Sequence, residues 1–182
     1  MSDAIEVYQE STMPMMHRPV TMEALDLIGQ MAEFVHLGRF VKGCSSKEQA
    51  MYMLLKAHEL GFPYTSLSDF FDVIEGKITL KPKAMLAIIH KHRFVHLNIV
   101  ESTDTRCTMT LSRDDTGFAH TITLTMQDAQ KAGWVKSGGG WEKIPANMLR
   151  WRTLGFLAQI VIPDLLAGMY GTSDFVEVEE EI

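Results

Sequence analysis

Hydrophobic and polar residues follow one another along this chain with two periods, and each period predicts its own kind of element. Behind Thr21, apolar residues recur every three or four positions, which predicts an amphipathic helix that Thr21 caps and that reaches about His36. The sequence Ser-Ser-Lys-Glu at 45–48 has the pattern of a capping box. A second helix is therefore expected from about 46 to 60, with Gly61 at its end.

Strand-like patterns dominate the middle of the chain. Residues 71–80 have the pattern of a β-hairpin centred on Gly76, and Pro82 suits the first position of a helix that reaches about His92. Apolar–polar alternation then occurs in three consecutive short runs, which predicts an antiparallel three-stranded meander with one buried face. The residues expected to face inward are Val95, Leu97 and Ile99 in the first run, Cys107, Met109 and Leu111 in the second, and Phe118, Ile122 and Leu124 in the third.

The last third of the chain predicts a short helix that starts at 125–129 and a long helix from 145 to 162. Together these elements predict an α+β fold, in which a small antiparallel sheet, made of the hairpin plus the three-stranded meander, packs against several helices. The expected organisation is a flexible N-terminal arm over 1–20, a single domain over 21–175 and an acidic C-terminal tail over 176–182.

Composition narrows the class of protein. Of the 182 residues, 46% are hydrophobic and 22% are charged, as is typical of a soluble globular protein. The sequence has neither an apolar run of the ~18 residues that a membrane span needs nor a signal peptide, so we expect a cytoplasmic protein without a membrane partner. Cys44 and Cys107 lie far apart and outside any CxxC motif, so both are expected to be reduced thiols.

The net charge of −6 is distributed unevenly. Residues 1–34 carry six acids and one base, and residues 174–182 carry five acids and no base, so each end contributes −5. The stretch between them, 35–173, holds 16 bases and 12 acids, for +4. Because binding to phosphates depends on the local potential, the acidic total does not exclude a nucleic-acid ligand.

Two segments of that stretch are strongly basic. One carries no acid, and its bases are Lys77, Lys81, Lys83, Lys91 and Arg93. The other carries a single acid, Glu142, and its bases are Lys131, Lys136, Lys143, Arg150 and Arg152. Either segment could be an ordinary solvated face, but two of them between acidic ends favour a phosphate-binding surface.

Three tryptophans, Trp134, Trp141 and Trp151, are interleaved with the cations of the second basic segment. Trp151 lies within the predicted long helix, where a core position is the ordinary interpretation. Trp141 follows three glycines, and two alternatives remain open for it. A glycine-rich loop could present its ring to a nucleic-acid base, or the ring could pin the loop to the protein.

Familiar catalytic and metal-binding motifs are absent. The glycines at 138–140 lack the GK[ST] ending of a phosphate loop, and no histidine pair has chelating spacing. Asp69, Asp72 and Glu75 would share a face if their segment were helical, and could then hold Mg²⁺ in a metal-dependent nuclease. The apolar residues between them favour a passage from helix to strand instead, so no protein-bound cofactor is expected and Mg²⁺ would serve only as a counterion.

Several short motifs also occur in a specific order and spacing, although each alone is weak. They are Met51–Gly61, Gly61-Phe62-Pro63, Val73–Lys77, Ala84–Ala87, Met126–Ala129, Gly133-Trp134, Trp141, Pro145, Met148–Arg150, Arg152 and Pro163–Gly168. Over about residues 47–175 this order resembles the RecT-type single-strand annealing proteins of phages and prophages.

The resemblance implies a protein that binds single-stranded DNA and anneals complementary strands without ATP, and that is not an enzyme. It further implies a homo-oligomeric ring or helical filament, a 5′–3′ exonuclease as a working partner, and the cytoplasm of a bacterial host. The DNA-binding residues that it implies are Lys77, Lys81, Lys83, Lys136, Lys143, Arg150 and Arg152, with Trp141 as a structural or stacking position. The alternative functions are a phage structural or adaptor protein and the metal-dependent nuclease.

Overall fold

The computed structural model describes residues 19–169 and Gly171, and within them the chain forms seven α-helices and five strands. The helices are α1 (Met22–Leu37), α2 (Lys47–Leu60), α3 (Leu67–Phe70), α4 (Pro82–Lys91), α5 (Met126–Lys131), α6 (Gly140–Lys143) and α7 (Pro145–Val161). The strands are β1 (Phe71–Ile74), β2 (Lys77–Leu80), β3 (Val95–Ser102), β4 (Arg106–Arg113) and β5 (Ala119–Thr125). The predicted α+β class is confirmed. The predicted tail, and the predicted arm up to residue 18, lie outside the described residues.

Local hydrogen bonds decide where the first two long helices begin. The Thr21 hydroxyl caps α1, as predicted, by accepting a hydrogen bond of 3.2 Å from the N–H three residues further on. Ser46 caps α2 by accepting from the Gln49 N–H, and the Gln49 side chain accepts from the Ser45 N–H at 2.8 Å. The cap is therefore Ser46 rather than the predicted Ser45, and the Gln49 side chain bonds to the N–H before the cap instead of completing a capping box.

The predicted hairpin is present and is closed by a two-residue turn. Strands β1 and β2 are antiparallel, with Ile74 opposite Lys77. Between them, Glu75 and Gly76 both have positive φ, at 51° and 78°. This conformation is typical of a type I′ turn, whose twist matches that of the flanking strands and which favours glycine. After α7 the chain returns to the hairpin, because Gly171 forms a parallel bridge with Leu80.

Strands β3, β4 and β5 form the predicted antiparallel meander in that order. Its inner face packs against α7, and its register places Met109 beside Ile99 on one side and Ile122 on the other. A β-bulge at Val100 interrupts the pairing of β3 with β4. Two inward predictions are wrong: Ile99 is 48% exposed because β3 is an edge strand, and Phe118 is 45% exposed because it precedes β5.

One cluster of buried hydrophobic residues extends from α1 to the segment that follows α7. Helix α7 contributes Leu149, Leu154, Leu157, Ala158 and Val161 to it, whereas Met148 is only partly buried. Both cysteines are free thiols, and burial raises the pKa of Cys107. Among the helices of the described part, none combines the length and apolar composition needed to cross a membrane.

A buried arginine connects the meander to the end of α7. Arg113, the last residue of β4, is 7% exposed. Its guanidinium donates two hydrogen bonds to the Asp115 carboxylate, at 2.7 and 3.0 Å, and one to Asp164 at 2.5 Å. The hydrogen bonds from Arg113 lower the pKa of Asp115, and the same contact raises the pKa of Arg113. The guanidinium also lies 5.5 Å from the centre of the Phe94 ring.

We expect Arg113→Met to lower the free energy of unfolding by about 2–3 kcal/mol at pH 7, because it removes charge-assisted hydrogen bonds that no other buried group replaces. The difference from wild type should be complete above about pH 4, the usual pKa of Asp, and should shrink as the pH falls through the lowered pKa of Asp115. Urea unfolding between pH 2.5 and 7 measures this. Arg106→Met is the control, because Arg106 is exposed and its nearest carboxylate oxygen, on Glu101, is 3.9 Å away. A difference for Arg113→Met that does not change with pH would contradict the ion-pair explanation.

Candidate nucleic-acid interface

Four of the predicted DNA-binding cations lie in the segment that runs from the end of α5 to the first half of α7. We call Lys136, Lys143, Arg150 and Arg152 the sheet-end group. Lys136 and Lys143 are exposed on the connection from α5 to α7, whereas Arg150 and Arg152 are half-buried in the first half of α7. Arg150 donates a hydrogen bond of 3.3 Å to the Ser102 hydroxyl at the end of β3. Arg150 is thus anchored where β3 ends and the turn to β4 begins.

An aromatic cluster holds Arg152 in position. Trp134 stacks on Trp141 with ring centres 5.7 Å apart, and Trp134 also contacts Phe156 of α7 at 6.0 Å. The Arg152 guanidinium lies over the Trp134 ring, 4.4 Å from its centre, which is within cation–π range. The packing therefore fixes the Arg152 guanidinium on the Trp134 ring, which in turn packs against Phe156 of α7.

Of the two alternatives for Trp141, the structure supports the structural one. The Trp141 side chain is 6% exposed and belongs to the hydrophobic cluster. A base cannot stack on a ring that is already covered, so Trp141 does not offer a stacking surface in this conformation. Trp151 is half-buried against the same cluster, in keeping with the core position predicted for it.

The glycine-rich stretch before Trp141 is a closed turn rather than a presenting loop. The Gly139 N–H donates to the Lys136 carbonyl at 3.1 Å, and the Gly138 N–H donates to the Glu142 carboxylate at 2.7 Å. A Cβ atom at Gly140 would lie 3.1 Å from the Met148 sulfur, so a glycine allows α6 to approach α7 closely. Glu142, the single acid of the second basic segment, therefore fixes the turn that carries Lys136.

The other three predicted cations, which we call the hairpin group, have different neighbours. Lys77 is exposed at the start of β2. Lys81 donates to the Ser68 carbonyl at 3.1 Å, and Lys83 forms an ion pair with Asp69 at 3.0 Å. The Asp69 carboxylate offsets part of the charge of Lys83. The described contacts thus place Lys81 and Lys83 against α3, whereas Lys77 lies at the start of β2 and Arg150 and Arg152 belong to α7.

Two further cations change the sequence-based picture. Lys91, in the first basic segment, donates to the Leu60 carbonyl at 2.9 Å and thereby caps the end of α2. Arg106 lies outside both basic segments and was missed by the sequence analysis. It is exposed at the start of β4, four residues after Ser102, which accepts from Arg150. The sequence signal that could have identified Arg106 is the tight turn between two runs of alternating apolar and polar residues. Such a turn places the start of β4, and Arg106 with it, beside the end of β3.

The carboxylates considered for a magnesium site do not share a helical face. Asp69 lies in α3, Asp72 in β1 and Glu75 in the hairpin turn. Asp69 is paired with Lys83, and the Asp72 carboxylate accepts from the Val73 N–H at 3.1 Å. Within residues 19–169, no group of three or more His, Cys, Asp or Glu side chains is arranged to hold a metal ion.

No protein-family model matches the sequence, and a search of curated proteins found no significant match.

Proposed function

We propose that this protein binds single-stranded DNA and anneals complementary strands without ATP, as a homo-oligomeric, non-enzymatic protein of the RecT type. The observation that carries the proposal is the sheet-end group, in which Arg150 is held by the end of the meander and Arg152 by the Trp134–Trp141 stack, while Lys136 and Lys143 are exposed just before α7. In the same proposal, it acts in the cytoplasm of a phage-infected bacterium, beside a 5′–3′ exonuclease.

A fixed frame suits a polymer with regularly spaced charges. Arginine and lysine bind DNA phosphates mainly by releasing condensed counterions, and this gain does not depend on the base sequence. Cations that are already positioned lose less side-chain entropy when the strand binds. Arg152 is positioned by its contact with Trp134, and Arg150 by its hydrogen bond to Ser102. The strand would therefore be held by its backbone, and its bases would remain available for pairing.

Annealing then requires only that the two strands pair and that the protein retains the duplex. A second strand is tested by Watson–Crick pairing against the exposed bases, and a matched duplex stays bound because neighbouring subunits hold it together. A subunit with a net charge of −6 offers a weak site by itself. Many subunits along one strand raise the avidity, because each binding event after the first is intramolecular. The proposed mechanism therefore depends on assembly and predicts strong sensitivity to salt.

The direct test uses two complementary oligonucleotides, one with a dye and one with a quencher, without any nucleotide cofactor. We expect the protein to accelerate quenching at low salt, and the acceleration should fall steeply between 50 and about 200 mM salt as counterion release becomes less favourable. A folded protein that leaves the annealing rate unchanged at low salt would contradict the proposal. Shortened oligonucleotides in the presence of Mg²⁺ or Mn²⁺ would instead support the nuclease alternative.

A structural or adaptor protein is the second candidate, and one observation favours it. Helix α1 exposes large apolar side chains, including Phe34 and Leu37 at 70% and 71% exposure. Exposed apolar patches of this kind are typical of protein–protein contacts. Self-association without any effect on strand annealing would support this candidate over the first.

A further inference from the structure

Helix α1 has two apolar faces, and only one of them is covered. Ile28, Ala32 and Val35 are buried against the rest of the fold, where α1 packs on α2. The other face, which we call the outer face, is made of Val20, Leu27, Phe34, Leu37 and Phe40, with exposed fractions of 49, 49, 70, 71 and 64%. The Phe40 ring packs over Gly38 and so continues this face beyond the helix end.

The area of the outer face matches what a stable interface requires. With ~200 Å² for a large apolar side chain, these exposed fractions give about 600 Å² of apolar surface. A standard interface buries about 800 Å² on each partner, of which about 60% is apolar. The outer face can therefore supply the apolar part of one side of an interface without help from another element.

The charges around this face indicate what covers it. Acids lie at the start of the helix, at Glu23 and Asp26, and bases follow its end, at Arg39 and Lys42. A second copy in the antiparallel direction would place acids beside bases at both ends, whereas a parallel copy would place like charges together. We propose that the outer face of α1 is a two-fold interface with a second copy of this chain, in which the two α1 helices pack antiparallel.

The spacing of the outer face defines the register of this pair. In an antiparallel pair, Leu27 of one copy lies opposite Phe34 of the other, and the two-fold axis passes beside Gln30. Leu27 and Phe34 are seven residues apart, which is about 10 Å along a helix. The same register brings Glu23 of each copy to Arg39 of the other, at the two ends of the contact. Such an interface is self-complementary and closes after two subunits.

This pairing goes beyond the proposed DNA binding and differs from the expected ring or filament contact. A two-fold contact joins one subunit to one other, so it could join two DNA-bound assemblies rather than lengthen one. It does not depend on DNA, and its test is made without DNA. Failure of this inference therefore leaves the annealing proposal untouched, and the reverse also holds.

The test uses the full chain in a Cys44→Ser background and a short bismaleimide cross-linker. We expect Gln30→Cys to give a cross-linked dimer, because the two Gln30 positions meet beside the two-fold axis. Gln127→Cys, at an exposed position of α5, is the matched control and should remain uncross-linked. Phe34→Glu should raise the dimer dissociation constant on the order of 100-fold in sedimentation equilibrium. Its side chain is mostly exposed in the monomer, so the fold should be unchanged by circular dichroism.

Charge reversal tests the antiparallel arrangement itself. Glu23→Arg and Arg39→Glu should each weaken the dimer about fivefold, and the double variant should restore it. A protein that is monomeric at all concentrations would overturn the proposal. A dimer that survives Phe34→Glu would also overturn it. So would a dimer that forms only after residues 1–18 are deleted, because those residues would then be what covers the outer face. Larger assemblies that Phe34→Glu disrupts, but that Gln30→Cys does not cross-link, would also overturn the two-fold geometry.

Discussion

Replacing Lys136 and Lys143 with Glu together is expected to weaken binding to single-stranded DNA on the order of 100-fold at low salt. Each replacement removes a phosphate contact and adds a repulsive charge at the same place. Both side chains are exposed, so the fold should be retained. The slope of log K against log salt should also become shallower, by about 0.7 for each lost contact, or about 1.4 for the pair. Fluorescence anisotropy of a labelled oligonucleotide over a salt series measures both quantities.

The control for this variant must change the net charge by the same amount. Lys42→Glu combined with Lys47→Glu does so at two exposed positions, one between α1 and α2 and one at the start of α2, where Lys47 pairs with Glu33 at 3.2 Å. We expect this control to bind within about threefold of wild type at moderate salt, because distant charges are screened. Equal losses in the two variants would show that total charge governs binding and not the sheet-end group. Unchanged affinity in the first variant would remove Lys136 and Lys143 from the site.

Trp141→Ala is expected to lower the free energy of unfolding by about 3 kcal/mol, which is the usual effect of deleting a buried aromatic side chain. The ring is 6% exposed and stacks on Trp134. Its loss leaves a cavity under α6 and frees the turn that positions Lys136. We therefore expect DNA affinity to fall as well, as an indirect consequence. Urea unfolding, followed by circular dichroism, gives the change in stability.

The companion variant Trp141→Phe separates packing from base stacking. It keeps an aromatic ring in the cluster, so stability should fall by only about 1 kcal/mol and DNA affinity should remain near wild type. Trp151→Phe is the matched control at a half-buried position of α7. A tenfold loss of affinity in Trp141→Phe, with stability preserved and no such loss in Trp151→Phe, would show that the indole itself stacks on DNA.

Elements whose limits are set by neighbouring residues could be predicted from the sequence. Thr125 starts α5 through a capping box with Asp128, and these hydrogen bonds lower the pKa of that carboxyl. The turn of the hairpin follows from Gly76 in the same way, because only a few residues tolerate positive φ. The start of α2 shows the limit of this reasoning. With two serines in succession, the sequence does not say which one becomes the cap.

Features that depend on distant partners could not be predicted. Arg113 looks like an ordinary surface charge at the end of a strand, and only the fold brings it to Asp164, 51 residues further along the chain. The burial of Trp141 likewise depends on Trp134 and Phe156, which lie on separate elements. For the sheet-end group, the cations could be listed from the sequence. The contacts that hold Arg150 and Arg152, and the proximity of Arg106, could not. Position in the fold, rather than residue type, gives Lys91 its role at the end of α2.

The bulge at Val100 bears on the tendency of the meander to aggregate. Strand β3 lies at the edge of the meander and exposes Ile99 and Val100 at 48% and 61%, in a run of residues with high β-propensity. A regular edge of this kind would be a template for strands of other molecules, and such pairing leads to aggregation. The bulge breaks the even spacing of backbone groups, and Glu101 places a charge directly after it. Removing the irregularity would turn this edge into the most aggregation-prone surface of the sheet.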